Sequence, residues 1–407
     1  MTTDLANPVD PAPDTDVGTG TAVERAMFAA ERLLTARLGA RVRLADPENL
    51  GGSGRSTVLR VRVARSPFPL SPTLVVKHSP APPSPGDTDP FALEAASCQL
   101  FTSLRKQDRS GPELIACDSV QRLLVQEDLG RSGTVASLLY AADASRAEQA
   151  LLNWAHALGR LHVTTRGREQ DFAALLRRLG APQVRDPIAE HGKAAVAGLP
   201  ALLETELGMA SRPEAITQAQ RAAKLLSGRP HRAFSPADLG PDNAVVAGRT
   251  VRFIDFEGGG FRTALLDTAQ LRAPLPSSMV ALAFPPGMAE AMASAWHAEV
   301  VGIWPELADR DVLARRLLDG QLLWTWLCTW WLLPLPRPHT SETAVLPVPG
   351  AVTDHGGLLV ERWERLAGEA DRIGCADTAT HAMTVADALR RRFHIVGDPL
   401  PRYPAFR

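Results

Sequence analysis

The stretch Ser235-Pro236-Ala237-Asp238-Leu239-Gly240-Pro241-Asp242-Asn243 sets Asp238 and Asn243 five residues apart, and Ile254-Asp255-Phe256-Glu257 follows with its Asp twelve residues after the Asn. This spacing lets one carboxylate face a hydroxyl while an amide oxygen, one turn of loop away, reaches a magnesium ion; Asp255 would supply a second oxygen to the same ion. Between them stand Ala244-Val245-Val246 and Val251-Arg252-Phe253-Ile254, two short apolar runs around a turn that contains Gly248. That pattern predicts a β-hairpin. A hairpin returns the chain to its starting point and so brings Asp255 back to Asn243, as a shared cation requires.

Composition narrows the field. The chain has 407 residues and a formal net charge of -1, enough length for two or three domains and no bulk field for nucleic acid or an anionic membrane. Arg outnumbers Lys 40 to 4 while acidic residues match basic ones, so each Lys stands out. Cys98, Cys117, Cys328 and Cys375 form no C-x-x-C pair, which points away from zinc and from a disulfide framework and toward a reducing cytoplasm. Residues 1–20 are rich in Asp, Pro, Thr and Gly and read as a disordered tail without signal-peptide character. The apolar run Leu322–Leu333 is twelve residues long, against the roughly 20 needed to span a bilayer, and predicts a helix buried in a helical domain.

Upstream of the opening motif, Thr21 to about Leu38 predicts an amphipathic helix. Arg41–Leu44, Thr57–Val63 and Thr73–Lys77 predict strands, the second alternating Arg60 and Arg62 against Leu59, Val61 and Val63. Between the first two lies Leu50-Gly51-Gly52-Ser53-Gly54-Arg55-Ser56-Thr57, whose Gly52, Ser53 and Gly54 would let backbone amides approach phosphate oxygens. The same residues also suit an ordinary hairpin turn. Lys77 closes an apolar strand, where a compact cation suits a phosphate. Glu94, in the helical run Phe91–Phe101, is its candidate ion-pair partner. Leu123-Leu124-Val125-Gln126-Glu127-Asp128-Leu129-Gly130 then reads as a strand crossing from one lobe to another.

Glycine-rich loop, strand Lys, helix Glu, crossing strand, Asp-x-x-x-x-Asn and Ile-Asp-Phe occur in the order of a bilobal kinase. The chain resembles the aminoglycoside phosphotransferase and choline kinase group over roughly Leu44 to Leu271, with Gly159-Arg160-Leu161-His162 and Leu265-Leu266-Asp267-Thr268-Ala269 as further points of likeness. The resemblance implies an α+β, protein-kinase-like fold: a small β-rich N-terminal lobe over 21–130 and a large helical lobe over 131–407. It implies ATP and Mg2+ as cofactors, Asp238 as the catalytic carboxylate, and Asn243 and Asp255 as metal ligands. Lys77 would lie on the α- and β-phosphates with Glu94 as its partner, and backbone around Glu127 to Leu129 would hold adenine. The sequence departs from the group at Pro236, where a loop His is usual, and at Glu257 in place of the Gly of Asp-Phe-Gly.

The remainder reads as helical: Ser145–His162, Pro213–Leu226, Glu290–Val301, Asp309–Leu333 and Leu358–Ile373. His162 and Asp267 read as core and loop-bracing groups rather than as a base or a ligand. Seven of the eight tryptophans follow Met288 and suit chiefly a Trp-rich core, with some free to wall an acceptor cleft. The absence of a carboxylate run there argues against a polycationic aminoglycoside. Only eleven residues separate Asp255 from Asp267, too few for a peptide-presenting activation segment. The expectation is therefore a cytoplasmic ATP-dependent phosphotransferase acting on a small-molecule hydroxyl, with no nucleic acid or membrane partner. A catalytically silent nucleotide-binding protein of the same fold is the nearest alternative; a protein kinase and a P-loop NTPase are more distant ones.

Overall fold

The computed structural model describes residues 16–407 except 52–55, 83, 85, 86, 182–184, 229, 249, 274–281 and 335–354. The chain divides into two compact units, one made of the residues up to Pro82 together with Leu114–Asp128, the other of Pro83–Glu113 and Leu129–Arg407.

The first unit holds helix α1 (Asp16–Leu38) and strands β1 (Arg43–Gly51), β2 (Thr57–Arg65), β3 (Thr73–His78), β4 (Leu114–Asp118) and β5 (Leu123–Glu127). They form an antiparallel sheet in the order β1-β2-β3-β5-β4. Alternation sets its faces. Leu59, Val61, Leu74, Val76 and Val125 pack in one cluster with Ala26, Ala30 and Leu34 of α1. Arg60 points the other way and bridges Asp128 at 2.9 Å. Lys77, one residue past Val76, therefore lies on the face opposite α1, between Val58 of β2 and Leu124 of β5. Helix α1 begins at Asp16, so residues 16–20 belong to a helix and not to the expected tail; residues 1–15 lie outside the described residues. So do Gly52, Ser53 and Gly54.

The second unit is mostly helical. It contains α2 (Pro90–Thr102), α3 (Val135–Leu139), α4 (Ala144–Thr165), α5 (Glu169–Arg178), α6 (Pro187–Leu207), α7 (Pro213–Ala222), β6 (Arg232–Ser235), β7 (Ala244–Ala247), β8 (Thr250–Phe253), β9 (Gly260–Thr263), α8 (Ala264–Arg272), α9 (Met288–Val300), α10 (Arg310–Leu332), α11 (His355–Arg372) and α12 (Ala376–Phe393). Two β-ribbons, β6 with β9 and β7 with β8, carry the connections around Asp238 and Asp255. This is the expected α+β division, a β-rich N-terminal unit and a larger helical one.

One boundary differs from the expectation. The segment 83–113, with α2 and Glu94, clusters with the helical unit and not with the sheet. The reason is packing: Phe101 of α2 meets Phe234 of β6 edge-on at 5.1 Å and Phe256 at 4.9 Å. A Cβ on Gly111 would come within 2.8 Å of the Phe256 ring, so that segment lies hard against the same aromatic cluster. Strand β4 and helices α5, α6 and α12 were not anticipated. Pro200 lies inside α6.

The Trp-rich helix α10 is buried, with Trp324 and Trp326 almost wholly covered, as are Trp296 and Trp363 on neighbouring helices. Among the described residues no helix is long and apolar enough to cross a membrane. Helix α10 crosses α8 at Gly320, where an added Cβ would stand 2.5 Å from the Leu265 carbonyl oxygen. Backbone cannot yield as a side-chain tip can. We expect Gly320→Ala to destabilise the protein by about 1–3 kcal/mol through overpacking, read as a lower urea midpoint at unchanged m-value; a midpoint equal to wild type would show that the two helices can part at no cost.

Candidate active site

The β7–β8 hairpin forms as the spacing predicts, with Ala244 opposite Phe253 and Val246 opposite Val251. At its open end the Ile254 N–H donates to the Asn243 carbonyl at 3.0 Å, which places Asp255 one residue beyond the closed ladder and beside the 238–243 loop. Asn243 donates through Nδ2 to Asp238 Oδ2 at 3.1 Å, and the Gly240 N–H donates to Asp238 Oδ1 at 2.9 Å. The amide nitrogen of Asn243 is thereby turned to Asp238, and its oxygen remains as a donor atom for a cation. Pro241–Asn243 form a single 3-10 turn that begins with the proline.

Electrostatics mark Asp238 within this group. Its carboxyl is pushed up from 3.8 to about 6, first by burial, then by the negative charge of Asp242 and, more weakly, of Asp255; the Gly240 N–H and the Asn243 amide oppose the rise. Asp242, which the motif assigned no role, thus contributes to the site through its charge. In the catalytic loop and the turn after the hairpin, Ala237 with φ 73° and Asp255 with φ 65° hold left-handed backbone angles without being glycine. Such angles cost free energy and persist where the surroundings impose them. Around Ala237 the packing is close: a Cβ on Gly258 would meet the Ala237 Cβ at 2.8 Å. Gly258 thus gives the tolerance that Glu257, at the expected Gly position, cannot.

The loop is held by a buried network that the motif alone does not reveal. Ser235 Oγ donates to Asp267 Oδ1 at 2.7 Å, and Asp267 Oδ2 lies 3.1 Å from His162 Nε2. Trp296 Nε1 donates to His162 Nδ1 at 2.9 Å, so Nδ1 is the acceptor nitrogen and Nε2 carries the proton given to Asp267. The Ala237 N–H donates to Ser235 Oγ at 3.2 Å, and the Leu239 N–H to Gln270 Oε1 at 2.8 Å. His162 and Asp267 are therefore bracing groups, as expected. Ser235 and Gln270 are the additions. Pro236 has no N–H and no polar side chain, and the brace that a loop His would offer is made one residue earlier, by Ser235.

A second addition comes from the far end of the chain. The Ala283 N–H donates to the Pro401 carbonyl at 2.9 Å, and Tyr403 stacks on Phe284 with ring centroids 5.5 Å apart. Tyr403 also meets Tyr140 edge-on at 5.9 Å, so the only two tyrosines of the chain pack together. Burial, then Tyr140 and Asp242, hold the Tyr403 phenol well above its ordinary range, which puts this aromatic pair in electrostatic reach of the loop. Nothing in the sequence around 403 signalled it.

Asp238, Asn243 and Asp255 are thus brought together within one unit. Glu94 is buried on α2, and Leu129 begins the return of the chain to the same unit. Lys77 and Glu127 belong to the sheet unit. Among the described residues no group of three or more His, Cys, Asp and Glu side chains is arranged to hold a metal by itself. A hard cation held here would draw on few protein oxygens, and the donor set suits one: carboxylates beside an oriented amide oxygen, with the charges of Asp242 and Asp255 adding to burial in raising Asp238.

No family model matches the chain, and no curated protein matches it in sequence. Its structure is similar to that of a choline/ethanolamine kinase family protein from Mesorhizobium loti, at 14% identity over 84% of this chain and 93% of that one, with a TM-score of 0.43. It is similar to choline kinase from Cryptosporidium parvum, at 12% identity over 93% and 95% with a TM-score of 0.44. It is also similar to amicoumacin kinase hAmiN, solved in complex with AMP-PNP, Ca2+ and Ami, at 12% identity over 95% and 98% with a TM-score of 0.44. Two of these three structures carry the choline kinase name in their descriptions.

Proposed function

We propose that the protein is a magnesium-dependent kinase that moves the γ-phosphoryl group of ATP to a hydroxyl of a small molecule. The observation that carries this reading is the arrangement of Asp238: a partly buried carboxylate raised toward neutrality, fixed by Gly240 and Asn243, with Asp255 returned beside it by the hairpin. Asp238 would accept the proton of the acceptor hydroxyl as its oxygen bonds to the γ-phosphorus and the bond to the β-phosphate oxygen breaks, releasing ADP. A base that titrates near its working pH exchanges that proton readily. Magnesium supplies charge neutralisation on the transferring phosphates when bound, and Asn243 and Asp255 would be its protein ligands. Lys77 would contact the α- and β-phosphates with Glu94 fixing its ammonium, Gly52, Ser53 and Gly54 would approach the phosphates through backbone amides, and the backbone of Glu127 to Leu129 would receive adenine. The eleven residues between Asp255 and Asp267 form a turn, strand β9 and the start of α8, which supports a small acceptor over a peptide.

The test uses labelled ATP with magnesium and two acceptor pools, a small-metabolite extract and a protein extract. Label is expected in the metabolite pool; label confined to proteins would replace the small-molecule reading, and no transfer at all would favour the silent nucleotide-binding alternative. Asn243→Ala and Asp255→Ala are expected to lose most of the magnesium-dependent part of the thermal shift produced by ATP, with Asp255 having the larger effect because it carries charge. Unchanged shifts in both variants would remove the metal assignment.

A further inference from the structure

Away from the catalytic loop, the helical unit contains a cavity of about 950 Å³ between α7, the first half of α10 and the turn that leads into α12. It shares no residue with the network around Asp238. Helical spacing puts Thr217, Gln218 and Arg221 of α7 on one wall and Arg315, Arg316 and Asp319 of α10 on the other, with Val312 and Leu318 adding apolar surface.

The charge on these walls is unequal. Four cationic side chains line the cavity, Arg221, Lys224, Arg315 and Arg316, against three acidic ones, Glu214, Asp319 and Asp377. Asp377 is already met from outside the lining by Arg212 at 2.9 Å, which leaves four cations facing two acids. Arg316 approaches Asp319 at 3.6 Å, whereas none of Arg221, Lys224 and Arg315 enters an ion pair among the described residues. Residues 374–378 complete the lining, so the N-terminal end of the 18-residue α12 opens on the cavity, and its N-cap Cys375 makes no side-chain capping bond. In a chain of net charge -1, this is a local concentration of positive charge in an open cleft between three helices.

We propose that this cavity binds a dianionic phosphate group, free or esterified to a small molecule, at a site separate from the candidate active site. The volume accommodates a sugar or nucleoside phosphate, since small-molecule sites commonly span about 300–1,000 Å³. Arg221 and Arg315, on opposing helices, supply planar donors that match phosphate oxygens in pairs, and Lys224 supplies a point charge. Thr217 and Gln218 offer neutral polar contacts to an organic part.

The experiment is equilibrium titration of the full chain, with EDTA present so that magnesium-dependent binding at the Asp238 site is silent. The probes are inorganic phosphate, glucose 6-phosphate and glucose. Saturable binding of at least one phosphate probe, none of glucose, and a loss of about tenfold or more in the Arg221→Gln/Arg315→Gln double variant are expected, that factor being what removal of two charge-assisted contacts produces at low salt. Both residues are exposed, so the variant should keep its fold and its magnesium-dependent ATP shift. Tighter binding of glucose 6-phosphate than of phosphate identifies an ester as the ligand; equal binding identifies the free ion. No saturation by about 10 mM of either phosphate probe, a regime weaker than about 3 kcal/mol, or binding unchanged in the double variant, overturns the proposal.

Discussion

Replacing Asp238 with asparagine is expected to abolish phosphoryl transfer and, at pH 8, to make the nucleotide-free protein more stable. Both effects come from one carboxylate. The raised value means that the folded state holds the Asp238 proton more tightly than the unfolded chain does. The stabilisation from protonation is fully present below the ordinary 3.8 and is lost as pH rises through about 6. At pH 8 the folded protein therefore carries an ionised carboxylate at a cost of about 3 kcal/mol. Asparagine removes that charge. It can still accept one of the two hydrogen bonds from Gly240 and Asn243, and loss of the other costs about 1 kcal/mol, so a net gain of about 2 kcal/mol remains. Thermal melts of both proteins at pH 4.5 and pH 8, without nucleotide, should show the advantage of the variant shrinking toward the lower pH. Transfer to the true acceptor should fall by about 10²–10⁴-fold, the scale of general-base contributions. A variant that is both less stable at pH 8 and still active would mean that Asp238 serves the loop and not the chemistry.

The second large effect is expected at Asp267. This buried carboxylate accepts from Ser235 Oγ and from His162 Nε2, and His162 in turn accepts from Trp296. Asp267→Ala would leave two buried donors without their acceptor, at roughly 1.5–3 kcal/mol for each hydrogen bond to a charged group, or about 3–6 kcal/mol together. Urea unfolding should record that loss. Transfer should fall as well, because the Ala237 N–H leans on Ser235 Oγ and the strained φ of 73° at Ala237 depends on that support. Asp267→Asn separates the two consequences: it can accept from one donor and keep most of the stability while misplacing the other partner. A variant Asp267→Ala with wild-type stability would show that Ser235 and His162 find other acceptors, and the bracing role would then pass to Gln270 through the Leu239 N–H.

The two variants probe different depths of legibility. Asp238, Asn243 and Asp255 could be named in advance because their meeting is local. A five-residue loop and a short hairpin bring them together, and turn residues with two apolar runs encode such a hairpin directly. The alternation of β2, the placement of Lys77 on β3 and the burial of the Trp-rich α10 followed for the same reason, since periodicity of 2 or 3.6 states which face turns inward.

What only the tertiary structure decided depends on residues far apart in the chain. His162 and Asp267 are 105 residues apart, and His162 and Trp296 are 134 apart. The bracing character of His162 and Asp267 could be anticipated, but no local pattern names the distant partner that each one finds. Ser235 carried no assigned role in the motif, yet it makes the brace that Pro236 cannot. Helix α2 looked like part of the sheet unit because it follows β3 in sequence, but Phe101 joins the Phe234 and Phe256 cluster, and aromatic burial outweighs chain order. The cationic cavity joins segments near 221, 315 and 376, which lie far apart in the chain. Sequence by itself determined the candidate chemistry, because its groups lie within one loop and one hairpin of each other; tertiary packing decided what holds those groups in place and what else the helical unit can bind, because those contacts join helices that only folding brings side by side.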